Sequence, residues 1–176
     1  MRVFVFGSGR CGSVSFAESC KYMTNYTCAH ESINYDLEYP DNHIEVNPQF
    51  RVIIPELMSK YLDAKFVWLT RNPEKVTASI RVLDKGRWLR DWWVFYNTLK
   101  PTNLDEAARI TTRCLLHTCS IVFQQIPESQ KKLLMIEKIQ HQLKDFWDWI
   151  DAEGDFELAK ESFNKPKNTS EQRGDR

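Results

Sequence analysis

The stretch of the chain best equipped for chemistry is GSGRCGS, residues 7–13. It follows a short apolar run over residues 3–6 and precedes a helical pattern over 13–24, with Val14, Ala17 and Cys20 on its inward side. A glycine-rich turn between a strand and a helix gathers backbone N–H groups and the positive end of a helix dipole at one point, and that combination attracts phosphate. Arg10 adds a full positive charge and Ser13 a hydroxyl donor. Gly7 and Gly12 have the spacing of the nucleoside-triphosphate loop G-x-x-x-x-G-K-[ST]. Ser13 stands where that loop has its lysine, however, and Val14 where it has the Mg²⁺-binding hydroxyl. Mg²⁺ bridges the terminal phosphates in phosphoryl transfer, so a loop without either group suits a terminal monophosphate that needs no metal.

A second candidate lies in KFVWLTRNPEKVTASI, residues 65–80. An apolar strand pattern ends at Arg71, Pro73 suits the first turn of a new helix, and Ser79 falls two turns along it. Arg71 can offer a two-pronged hydrogen bond to a phosphate, while Asn72 has the chemistry of a helix cap. A third is HES, residues 30–32, at the end of a short strand pattern over 27–32. His30 and Glu31 are both general-base types, and a carboxylate acts best in that role when burial raises its pKa. The plain alternative is His30 packed on a sheet edge and Glu31 as a solvated strand end.

GSGRCGS resembles the phosphosulfate-binding loop of sulfotransferases, in which a Lys or Arg is followed by a small residue, Gly and Ser or Thr. The resemblance gives Arg10 the cationic position, Cys11 the small one, Gly12 the glycine and Ser13 the hydroxyl. Val14 departs from the second hydroxyl that many members carry, with Ser15 next to it. The segment 65–80 resembles the family's 3′-phosphate site, in which a strand ends in Arg and a Ser comes eight residues later, here Arg71 and Ser79. Residues 50–73 and KLLMIEKI, with Glu137, resemble neighbouring parts of the family pattern, so the likeness covers most of the chain. It implies a donor, 3′-phosphoadenosine 5′-phosphosulfate, with its 5′ phosphate on the loop and no metal. In the tyrosylprotein and several bacterial sulfotransferases the base is a Glu about 20 residues after the loop cation, and Glu31 lies 21 after Arg10. In cytosolic members the base is a His much further along, which makes His30 the second choice. The implied activity is transfer of a sulfuryl group to a hydroxyl or amine of a small-molecule, carbohydrate or peptide acceptor. Arg10 and Glu31 would be catalytic, and Arg10, Cys11, Gly12, Ser13, Arg71 and Ser79 would hold the donor. Many members close a basic loop over the 3′ phosphate near the C-terminus; Lys165, Lys167 and Arg173 are available, and none matches that pattern closely. Two other readings stay open: a P-loop nucleotide or nucleoside kinase, and a nucleotide-binding module without turnover.

These residues need a scaffold. With 176 residues, the chain suggests one domain over residues 1–163 and a polar tail over 164–176. Apolar strand patterns at 3–6, 27–32, 64–70 and 132–136 alternate with helical ones at 50–62, 73–84, 86–99, 103–125 and 140–150. That alternation predicts an α/β fold: a three-layer, P-loop-type parallel sheet flanked by helices. Residues 34–49 read as loop. Trp88, Trp92 and Trp93 form one face of the 86–99 helix, more in the manner of a core stripe than an acceptor pocket. Arg81, Arg87 and Arg90 read as solvated helix charges. The 24 basic and 24 acidic residues balance, which argues against a general polyanion partner such as nucleic acid. No apolar run reaches the roughly 20 residues of a membrane span. Five cysteines without metal-ligand spacing, and no secretory pattern, are expected of reduced thiols in a cytoplasmic protein.

Overall fold

The structure, a computed structural model, describes residues 1–32, 34, 36–83, 89 and 103–164. Among these, five parallel strands form one sheet in the order β2-β3-β1-β4-β5. The strands are β1 (Arg2–Gly7), β2 (Thr27–His30), β3 (His43–Val46), β4 (Lys65–Thr70) and β5 (Lys131–Met135). The helices are α1 (Ser13–Cys20), α2 (Ile54–Lys60), α3 (Pro73–Val82), α4 (Leu104–Gln125), α5 (Ile139–Trp149) and α6 (Phe156–Ser162), with a 3₁₀ turn at Pro48–Val52 before α2. This is the α/β parallel sheet that the alternating patterns predict.

The three layers follow from which side chains each strand turns to each face. Val3, Val5, Ile44, Val46, Val67, Leu69 and Leu134 form one buried cluster with α1, α5 and α6 through Phe16, Leu143, Phe146, Trp147 and Ala159. On the opposite face, Phe4, Phe6 and Phe66 meet Phe50, Ile54 and Leu57 before and within α2, and Cys119 and Val122 of α4. Phe4, Phe6, Phe16, Phe66 and Phe146 are all fully buried, each contributing about 1.5–3 kcal/mol of transfer free energy. A smaller cluster joins α3 to α4 through Val76, Ile80, Ala108 and Leu115. No helix among the described residues is long and apolar enough to cross a membrane.

β1 sits at the centre of the sheet, with β3 on one side and β4 on the other. Chain order reverses direction across the sheet there, and in parallel α/β folds the crevice for ligands opens at such a point, beyond the C-terminal ends of the strands.

Three expectations are corrected. Residues 34–49 are not all loop, because His43–Val46 forms β3. Two of its four residues are ionisable, which hides the strand pattern, yet His43 and Glu45 are buried and hydrogen-bonded to each other. α1 ends at Cys20 rather than near residue 24, and it turns Ser15, Phe16 and Ala17 inward while Val14 remains partly exposed. The segment 50–62 is a 3₁₀ turn followed by a shorter helix, since Pro55 occupies the first turn of α2. The Trp88, Trp92 and Trp93 stripe, Arg87, Arg90, Lys165, Lys167 and Arg173 lie outside the described residues.

Candidate functional site

β1 runs into the loop because Gly7 is packed too tightly for a side chain. A Cβ there would lie 2.5 Å from the Leu69 carbonyl oxygen of β4. The loop then turns through left-handed backbone at Gly9 (φ 75°), Arg10 (φ 55°) and Gly12 (φ 88°). At Gly12 a Cβ would meet Ile136 at 2.8 Å, so the glycine is required by both conformation and space. Gly12 occupies the N-cap position of α1 with no side-chain cap, leaving N–H groups of the first turn available to an anion.

The two segments singled out as candidate phosphate sites, far apart in sequence, meet at this loop. Arg10 Nε donates to Ser79 Oγ at 2.9 Å, and Arg71 Nη1 donates to the Arg10 carbonyl at 3.1 Å. Asn72 is the helix cap, its side chain accepting from the Glu74 and Lys75 amides. α3 therefore closes its own N-terminus, and the adjacent Arg71 is turned toward the loop. Glu137 accepts from the Asn72 amide at 3.0 Å and lies 3.8 Å from Lys75, which ties the turn after β4 to the turn after β5.

His30, the last residue of β2, lies with Nε2 3.0 Å from Ser13 Oγ. It belongs to the loop side of the site rather than to an idle sheet edge. Glu31 follows in a left-handed conformation (φ 51°). It is exposed, so the burial expected of a tuned base is not there.

These residues border one cleft of about 890 Å³. Of the residues singled out in sequence, Arg10, Gly12, Ser13, Glu31, Arg71 and Ser79 line it, together with His30, while Cys11 does not. All five strands send a segment from their C-terminal end to the cleft: the loop after β1, Glu31 after β2, Gln49 and Arg51 after β3, Arg71 after β4, Ile136 after β5, with helix residues such as Ser79 and Leu115 completing the wall. The volume is in the range of small-molecule sites.

Arg51 is a buried cleft residue that sequence reasoning misses. It is 5% exposed, and Nη1 donates to the Pro48 carbonyl at 2.7 Å and more loosely to that of Gly7 at 3.4 Å. A buried cation thus sits against the end of β1. The signal in the sequence is the three-residue spacing Pro48, Arg51, Ile54, all buried, which puts an arginine on the inward side of a tight turn.

Cys11 lies beneath the loop, 1% exposed. Burial pushes its thiol up to about 11, and burial likewise pushes Cys119 up to about 12. Cys20 is raised well above its usual value by burial and then by neighbouring Cys28. Thiolate is the reactive form, so Cys11 serves packing and not nucleophilic chemistry. Iodoacetamide at pH 8 is expected to modify exposed Cys114 first and to reach Cys11, Cys20 and Cys119 only on unfolding. Peptide mass spectrometry reads the order, and early modification of Cys11 would contradict this packing.

No protein-family model matches the sequence, and no curated protein matches it. Among the solved structures that do match is the sulfotransferase STF9 from Mycobacterium avium. The TM-score is 0.47 and the identity 18%, with 70% of this chain and 32% of that one covered. The chain thus spans about a third of that protein's length.

Proposed function

We propose that the cleft binds 3′-phosphoadenosine 5′-phosphosulfate and that the chain transfers its sulfuryl group to an acceptor hydroxyl or amine. The observation that carries this reading is the convergence of Arg10, Ser79 and Arg71. A loop for one phosphate and an Arg–Ser pair for another, 61 and 69 residues away in sequence, adjoin in one cleft. A nucleotide bearing phosphates on both its 3′ and 5′ oxygens needs two such anion sites.

The residues present fit that donor. The loop amides, the uncapped start of α1 and Ser13 hold the 5′ phosphate. Arg71 and Ser79 hold the 3′ phosphate through charge-assisted bonds. When bound, the donor supplies an activated sulfuryl group whose release leaves negative charge on a phosphate oxygen. Arg10 is the cation on the loop for that charge. Glu31, on the cleft wall after β2, takes the proton from the acceptor. It is exposed, so an acceptor would displace the water around it. Val14 at the cleft and the absence of a loop lysine set this site apart from one built for Mg²⁺-nucleoside triphosphates. The acceptor is a small molecule, a carbohydrate or a peptide.

Arg71→Ala tests the assignment of the two phosphates. It is expected to weaken adenosine 3′,5′-bisphosphate by roughly 1.5–3 kcal/mol, the range for hydrogen bonds to charged groups. Adenosine 5′-phosphate, which lacks the group Arg71 holds, is expected to lose much less. Calorimetry with both ligands reads the difference. Equal losses would mean that Arg71 acts only as a brace on the Arg10 carbonyl.

A further inference from the structure

Glu45 lies within β3 and is fully buried. A buried carboxylate is costly unless hydrogen bonds satisfy it, and here they come from one place in particular, the end of β2. Ser32 donates to it twice: its backbone N–H to Oε1 at 3.0 Å and its hydroxyl to Oε2 at 2.5 Å. His43 Nε2 lies 3.2 Å from Oε2, and Nδ1 of the same ring lies 2.8 Å from Thr27 Oγ1, at the start of β2. Burial pushes the Glu45 carboxyl up, but the bonds from His43 and Ser32 outweigh it and hold it below its usual value.

The residue just before Ser32 is Glu31. Its own N–H donates to the Val46 carbonyl at 3.0 Å. Glu31 is thus pinned on both sides, by Val46 through its own amide and by Glu45 through the next residue. Between these pins its backbone is left-handed, a conformation that side-chain-bearing residues seldom adopt and that persists where the surroundings over-determine it. The turn breaks the strand's alternation at the point where Glu31 joins the cleft wall.

We infer that buried Glu45 is a positioning residue for Glu31: by clamping Ser32 it fixes the left-handed turn that places Glu31 on the wall of the cleft. The inference rests on the proposed role of Glu31 as the base. Glu45 itself does not line the cleft, so it acts through the strand end and not on the acceptor.

A double-mutant cycle tests it. Wild type, Glu45→Gln, Glu31→Gln and the double variant are compared with sulfur-labelled donor and three acceptors: a tyrosine-containing peptide (which also supplies a phenol), an amino sugar and water. Glu45→Gln removes the charge and one of the two acceptor oxygens that Ser32 uses. Turnover is expected to fall by about 10²-fold, the scale of a misplacement near 1 Å, while the dissociation constant for adenosine 3′,5′-bisphosphate stays unchanged. In the Glu31→Gln background the same change is expected to have no further effect, because the group being positioned is gone. Ser32→Ala, which deletes one hydroxyl at an exposed strand end, runs the same cycle if Glu45→Gln does not fold. Undiminished turnover in Glu45→Gln or Ser32→Ala, or losses that multiply in the double variant, would overturn the inference while leaving Glu31 as the base. Undiminished turnover in Glu31→Gln, or a wild type that leaves the donor intact with all three acceptors, would overturn the base assignment, and the positioning role would fall with it.

Discussion

Glu31→Gln is expected to lower sulfuryl transfer by 10²–10⁴-fold, the usual worth of a positioned general base, which corresponds to about 2.7–5.5 kcal/mol in the barrier. Gln keeps the size of the side chain and its hydrogen-bonding reach but cannot take a proton at neutral pH. Glu31 is exposed on the cleft wall and follows β2, and none of its assigned contacts is to the donor's phosphates. The loss is therefore expected in turnover, with the donor's dissociation constant nearly unchanged. His30→Ala gives the contrast. His30 lies 3.0 Å from Ser13 Oγ, so its removal disturbs the loop and is expected to appear first in donor affinity. Initial rates at saturating donor, with calorimetry on the bisphosphate, separate the two effects. An inactive His30→Ala beside a normal Glu31→Gln would exchange their roles. Full activity in both would place the base elsewhere.

The parts of this site legible in the sequence are those whose chemistry is local. GSGRCGS declares itself because Gly7 is needed for space and Gly9 and Gly12 for left-handed backbone, and because its cation and hydroxyl lie within the same few residues. Arg71 and Ser79 are legible as a pair since one strand end and one helix face set their spacing. That Arg10 meets Ser79 is a consequence of β1 and β4 being neighbours, which the alternation of strands and helices implies only loosely.

The rest was hidden for physical reasons. β3 does not look like a strand because His43 and Glu45 break its apolar pattern, and among the described residues their polarity is satisfied by each other, Thr27 and Ser32. Missing that strand conceals both the neighbour of β2 and the clamp on Glu31. Arg51 is concealed in the same way: a charged residue inside an apolar segment is tolerated through carbonyl partners at Pro48 and Gly7 that exist only once the chain has folded. Burial of Glu31 was the reasonable expectation for a base, but it follows the last residue of a short edge strand and stays open to solvent.

The central claim is that this cleft is built for a nucleotide with two separate phosphates and not for a metal-bound triphosphate. The loop offers amides, Arg10 and Ser13, and a second cation, Arg71, lies against it in the same cleft. A ligand that binds only the folded chain stabilises it by RT ln(1 + [L]/Kd), about 2.7 kcal/mol at 100 times its dissociation constant and about 4.1 at 1,000 times. The most direct measurement is thermal unfolding with matched concentrations of adenosine 3′,5′-bisphosphate and of ATP with Mg²⁺. The site described here predicts a clear rise in melting temperature with the bisphosphate and a smaller one with Mg²⁺-ATP. A larger rise with Mg²⁺-ATP, or none with the bisphosphate, would contradict it.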